Sequence, residues 1–279
     1  MKVRILTAIG IFIVGVPILI FSDTVAYPIA LSLLSVIAAW EMLRVFGLQR
    51  KYAISIPSYL IALCLPLSAS DIIISSESHR DFLLAEALVL FAFLMYLAAA
   101  AVLSRGHISF ESVSRVFISV CYVTVSFSSM SLMRYMVNGG LFVGLIFTVA
   151  WTTDTFAYFT GRLFGKHKLA PGLSPKKTVE GAIGGTVFAV VGCIVYGLVS
   201  ELLYSGVNAD FLSLALIGLV CSVISQIGDL WASLIKREYG VKDYSRMLPG
   251  HGGVMDRFDS ILAVSAVLYA ICMVFPPIK

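Results

Sequence analysis

Between Ser225 and Ser260 the chain reads SQIGDLWASLIKREYGVKDYSRMLPGHGGVMDRFDS, which concentrates Asp229, Asp243, Asp256 and Asp259, Glu238, two Lys, three Arg and His251 in one stretch. Asp256 and Asp259 stand three residues apart, a spacing that sets two carboxylates on one helical face. Ser225, Asp229, Ser233 and Lys236 fall on a single helical stripe further upstream. Carboxylate oxygens are hard ligands. Asp229, Asp256 and Asp259 at one depth would suit Mg²⁺, which takes a few carboxylates and leaves its other positions to water or substrate phosphates. A lone Asp229 could instead pair with a nearby base, and Asp256 could cap a helix. Capping accounts for one of these Asp residues and leaves the others unexplained.

The residues between these carboxylates alternate cations with chain-bending positions. Lys236, Arg237, Lys242 and Arg257 can neutralise phosphate oxygens. The turn Pro249-Gly250-His251-Gly252-Gly253 is expected to bring backbone N–H groups close to an anion. His251 suits an acid, a ligand or a hydrogen-bonding spacer equally well. A second basic segment, GRLFGKHKLAPGLSPKKTVEGAIGG, carries Lys176 and Lys177 behind Ser174-Pro175. That pair reads as a helix start, so both lysines are expected in a first turn whose amino end attracts phosphate. Asp154 and Tyr158, at i and i+4, are expected to point toward the same place. No Walker or Rossmann glycine pattern occurs.

The elements that must hold these residues are apolar. Of 279 residues 59% are hydrophobic and 13% charged, and the mean hydropathy is +0.96. This composition fits a polytopic membrane protein better than a soluble core. Runs long enough for a hydrocarbon core of roughly 30 Å occur at Ile5–Ser22, Ala26–Phe46, Ala53–Ala69, Phe82–Leu103, Val113–Met136, Leu141–Thr160, Ala182–Tyr204, Phe211–Ile235 and Phe258–Phe275. Backbone polar groups in lipid must be satisfied internally, and runs without alternating polarity favour helices over a barrel. The expected fold is therefore an all-α bundle of about nine transmembrane helices. The first run lacks a small-x-small cleavage site and is expected to be retained as a helix. Gly181 and Gly185 have the spacing that lets two helices pack closely. The five Cys all fall in predicted spans, without metal or disulfide spacing.

Basic residues sort by side. With the N-terminus in the cytoplasm, only Arg80, Arg134 and Lys279 of the 20 Lys and Arg residues fall outside, as the positive-inside rule requires. The charged segments then face the cytoplasm and the C-terminus lies outside. Glu41 and Arg44, at i and i+3, are expected to pair or snorkel, and Glu86 to lie near the outer interface. Residues 1–138 are expected to form a membrane scaffold of about five spans. The chemistry is expected to be built by residues 139–279.

The run from Ser233 through Lys236-Arg237, Lys242-Asp243 and Leu248-Pro249-Gly250-His251-Gly252-Gly253 to Asp256-Arg257-Phe258-Asp259 resembles the signature of the phosphatidate cytidylyltransferases. The segment from Ser174 to Gly181 and the run from Gln226 to Asp229 are also similar to stretches of that family. The resemblance implies transfer of a cytidylyl group from CTP to phosphatidate with Mg²⁺, and room for a second cation. It implies that Asp229, Asp256 and Asp259 hold metal and that Lys236, Lys242, Arg257, Lys176 and Lys177 handle phosphates, with Asp243 orienting them. Ser174, His251, Gly252 and Gly253 are the remaining nucleotide-site candidates. A homodimer in the inner (plasma) membrane of a prokaryote is expected, with no nucleic-acid partner. Two rivals fit less well. A CDP-alcohol phosphotransferase places its Asp residues in a D-G-x-x-A-R run that is missing here, and an ion-coupled transporter needs a polar path through the outer half.

Overall fold

The computed structural model describes residues 15–70 and 79–279, together with Gly10 and Ile13. The expected span Ile5–Ser22 lies largely outside the described residues; α1 is described over residues 15–20. The other helices are α2 (Ala26–Val45), α3 (Tyr52–Ser68), α4 (His79–Leu103), α5 (Phe110–Arg134), α6 (Gly139–Phe164), α7 (Val179–Leu203), α8 (Phe211–Glu238) and α9 (Met255–Val274). Seven of the described helices are long and apolar enough to cross a membrane. The exception among α2–α9 is α3, whose 17 residues rise about 26 Å at 1.5 Å per residue, short of a typical core. The all-α class holds. Its one addition is a small antiparallel hairpin, β1 (Lys168–Ala170) and β2 (Ser174–Thr178), paired Lys168 to Thr178 and Ala170 to Ser174.

The chain forms two compact units. The first comprises Met1–Tyr135 and Tyr239–Arg257. Its core joins Leu43, Ile54, Phe93, Leu97, Val116 and Val120 from α2 to α5. Several hydroxyls buried among these helices return to their own backbones. Ser32 Oγ donates to Pro28 O (2.8 Å), Ser58 Oγ to Ile54 O (2.6 Å) and Thr124 Oγ1 to Val120 O (2.7 Å), which removes donors that lipid could not satisfy.

The second unit comprises Met136–Glu238 and Phe258–Lys279. Small residues decide how closely its helices approach. A side chain on Gly181 would meet the Ala157 carbonyl at 2.7 Å and Gly161 Cα at 3.1 Å, and one on Gly185 would meet the Thr153 carbonyl at 2.8 Å. The expected small-residue seam thus joins α6 to α7 backbone to backbone. Gly218 brings α8 equally close to α7 at Val190. Tyr196 closes the far end of α6 by donating its hydroxyl to Leu141 O at 2.8 Å. The chain end folds onto the α7–α8 connection: Asn208 N donates to Lys279 O (2.7 Å) and Lys279 N to Asn208 O (2.9 Å). Asp210 starts α8, accepting from Ser213 Oγ at 2.6 Å and from Leu212 N at 3.1 Å. The Ser213 hydroxyl first, then the Ser213 and Leu212 amides, hold its carboxyl below the usual range.

Candidate active site

In the second unit the hairpin sets the first cations in place. Ser174-Pro175 does not start a helix: Ser174–Thr178 is a strand, and α7 begins at Val179 with Thr178 as its N-cap, whose Oγ1 accepts from Gly181 N at 3.1 Å. Pro175 is tolerated because a two-stranded hairpin has open edges that need no N–H at every position. The consequence for the lysines is large. In a strand neighbouring side chains point to opposite faces, so Lys176 is exposed while Lys177 is half-buried and forms an ion pair with Asp229 Oδ2 on α8. Arg237 Nε, also from α8, donates to Leu173 O in the hairpin turn at 3.4 Å.

Glu180 secures the hairpin's base. Its carboxylate accepts from Lys166 N at 3.0 Å and His167 N at 3.2 Å, and His167 Nδ1 lies 2.6 Å from Oε1. The anion at the amino end of α7 is therefore the protein's own glutamate.

Asp229 owes its neighbours to Gly228. A side chain on Gly228 would strike Ala263 Cβ (2.6 Å) and the Asp259 carbonyl (2.8 Å), so α8 and α9 touch at this level and the carboxylates of Asp229 and Asp259 come within electrostatic reach of each other. Asp154 of α6 joins them, accepting from Ser260 Oγ at 3.2 Å and sensing the charges of Asp229 and Lys177; Lys236 acts on Asp259. Three carboxylates face two lysines here. Repulsion among partly buried like charges is strong, so the arrangement favours added positive charge. Among the described residues, no group of three or more His, Cys, Asp or Glu is arranged to hold a metal ion. Tyr158, expected beside Asp154, is exposed; its hydroxyl accepts from Arg162 Nη1 at 3.5 Å.

The first unit holds Lys242, Asp243, His251, Gly252, Gly253, Asp256 and Arg257. The segment 248–252 makes the expected sharp turn: Gly250 and Gly252 have φ of 77° and 85°, and Leu248 exchanges hydrogen bonds with Gly252. Amides on either side of that turn, however, meet anions of the protein itself. Gly253 N and Tyr244 N donate to Asp256 Oδ2 at 2.9 Å and 2.8 Å. Val254 N and Met255 N donate to Glu41. Lys242, Asp243 and Arg257 are exposed. Asp256 and Asp259, three residues apart on α9, belong to different units. Asp259 has Asp154 and Asp229 as neighbours, whereas Asp256 closes its own loop.

Glu41 is the residue that spacing misplaced. It does not pair with Arg44, which lies over the Trp40 ring at 5.4 Å; it is fully buried and faces the 239–257 loop. The signal available was its place well inside a helix that is apolar almost throughout, where a solvated charge would not sit.

Residues 2–275 match the Cytidylyltransferase family. The chain belongs to that family. Among curated relatives, the phosphatidate cytidylyltransferase of Staphylococcus haemolyticus is 38% identical over 273 residues, covering 96% of this chain and 97% of that protein. The phosphatidate cytidylyltransferase of Bacillus subtilis is 35% identical over 278 residues, covering 99% and 98%.

Proposed function

We infer that this chain transfers the cytidylyl group of CTP to phosphatidate, releasing pyrophosphate and leaving CDP-diacylglycerol in the membrane. The observation that carries the reading is whole-length similarity to relatives of that name in a chain whose carboxylates and lysines gather on the very segments that bear the resemblance. The chemistry asks little of a base. A phosphate monoester is already largely ionised near neutrality, its second pKa being about 6. A phosphatidate oxygen forms the new bond to the α-phosphorus of CTP, and the bond from that phosphorus to the bridging oxygen breaks, its electron pair leaving with pyrophosphate.

Catalysis then consists of bringing two anions together and stabilising the leaving group. Lys177 and Lys236, with Lys176, Lys242 and Arg257, supply positive charge to the phosphates, and Asp243 orients them. Mg²⁺ belongs to the same proposal. The hard oxygens of Asp229 and Asp259 would hold it, leaving positions for water and phosphate oxygens, and when bound it would neutralise charge on the reacting phosphates; the sequence resemblance adds Asp256 as a candidate ligand. Purified protein given labelled CTP, phosphatidate and Mg²⁺ should yield a lipid-soluble cytidine product. No such product at any Mg²⁺ concentration overturns the reading.

Two results refine it. Lys176→Gln/Lys177→Gln protein should need more CTP for half-maximal rate, with its metal dependence largely unchanged; an unaltered CTP response would return both lysines to membrane anchoring. The proposed cytoplasmic side for the charged segments rests on the sorting of basic residues. Cysteines introduced at Ser174 and Gly206 should label from opposite sides of the membrane, and labelling from one side would remove this orientation.

A further inference from the structure

Glu41 is a buried carboxyl group that the proposed chemistry does not use. It lies on α2 with no exposed surface, within a helix otherwise apolar but for Arg44 and a few hydroxyls. An isolated carboxylate there would be prohibitive. Three donors answer it, two from the loop between α8 and α9 and one from the first residue of α9. Ser245 Oγ and Val254 N donate to Oε1 at 2.5 Å and 3.0 Å, and Met255 N donates to Oε2 at 2.8 Å. The two amides belong to the entry of α9, one and two residues before Asp256. Gly253 is part of the same fit: a Cβ there would run into the Glu41 carboxylate. The start of the loop is held separately, Tyr239 packing on Phe46 at 5.1 Å with Arg115 over its ring at 5.1 Å.

We propose that Glu41 is a positioning residue for the transfer reaction: its carboxylate fixes the 245–255 segment and so sets where Asp256 and Arg257 stand. The role rests on the cytidylyltransferase reading, but the tether can be judged apart from it. Glu41 gathers two backbone amides and a hydroxyl that would otherwise need partners, so the loop adopts one conformation before substrate arrives. Preorganisation of this kind lowers the barrier because no ordering is left for the transition state. Lys242 and Arg246, exposed in the same loop, make its looseness measurable with trypsin.

In intact protein in detergent, Glu41→Ala should speed tryptic cleavage at Lys242 and Arg246 at least about tenfold and lower kcat for CDP-diacylglycerol formation by a similar factor, with a much smaller change in KM for CTP. Glu41→Gln keeps Oε1 as an acceptor but turns an amide group toward Met255 N–H, so it should fall between Ala and wild type and remain folded where Ala does not. Gly253→Ala should reproduce the loss in wild-type protein and add little to Glu41→Ala. Cleavage as slow as wild type in both Glu41 variants overturns the tether. Faster cleavage with unchanged kcat overturns the positioning role, as does a Gly253→Ala loss of equal size in both backgrounds. If wild-type protein makes no CDP-diacylglycerol, the functional reading fails while the cleavage result still decides the tether.

Discussion

Asp229→Asn should lower cytidylyl transfer by at least about 100-fold, a loss of about 2.7 kcal/mol of transition-state stabilisation, in protein that still inserts and folds. The size of the effect follows from what meets at this carboxylate. Asp229 is the partner of Lys177, and it sits where Gly228 lets α8 touch α9, so that Asp154 and Asp259 share its surroundings. Asn keeps the shape and one acceptor oxygen. It removes the charge that both a dication and Lys177 require, and the lysine then has freedom to leave the hairpin's inner face. The fold should survive because the close approach of α8 to its neighbours depends on Gly218 and Gly228. Retention of most activity across a Mg²⁺ titration would remove Asp229 from the reacting centre. Equal losses in Asp229→Asn and Lys177→Gln protein, with no further loss in the double variant, would assign the effect to the pair rather than to a metal ligand.

The bundle was legible because lipid leaves so few options. Long apolar runs must be helices, and the structure places α2 and α4–α9 within a few residues of the runs that hydropathy marks. The Gly181 and Gly185 seam was legible for the same reason: without side chains, backbones approach. Ser174-Pro175 was misleading because a Ser cap followed by Pro is a local signal, and the hairpin is closed by longer-range partners. Glu180 gathers Lys166 and His167, and the Lys177–Asp229 pair ties β2 to α8. Neither is visible to a rule that looks a few residues ahead.

The carboxylates divide in the same way. Spacing correctly set Asp229 and Lys236 on one stripe of α8, and it joined Asp256 to Asp259 on α9. It could not show that Asp259 would find Asp154 and Asp229 while Asp256 would turn back to Tyr244 and Gly253. Side-chain partners are chosen after helices pack, and a period of 3.6 residues does not encode that choice. Glu41 shows the limit most sharply, since its partners Ser245, Val254 and Met255 lie some two hundred residues away in sequence.

Asp256 allows charge and scaffold to be separated, because its Oδ2 alone accepts both Tyr244 N and Gly253 N. An Asn amide oxygen can take that place, so Asp256→Asn should leave the loop as resistant to trypsin as wild type. Asp256→Ala removes the acceptor, strands two amides and should loosen it, at about 1 kcal/mol or more for each donor left unpaired. Activity should not follow the same order. If the carboxylate's charge serves the reaction, both variants should lose transfer by at least about 100-fold, although only one of them has a disturbed loop. If Asp256 merely holds the loop, Asp256→Asn should be nearly silent and only Asp256→Ala impaired. A silent Asp256→Asn would strike Asp256 from the metal ligands and leave Asp229 and Asp259 as the pair on which a cation could rest.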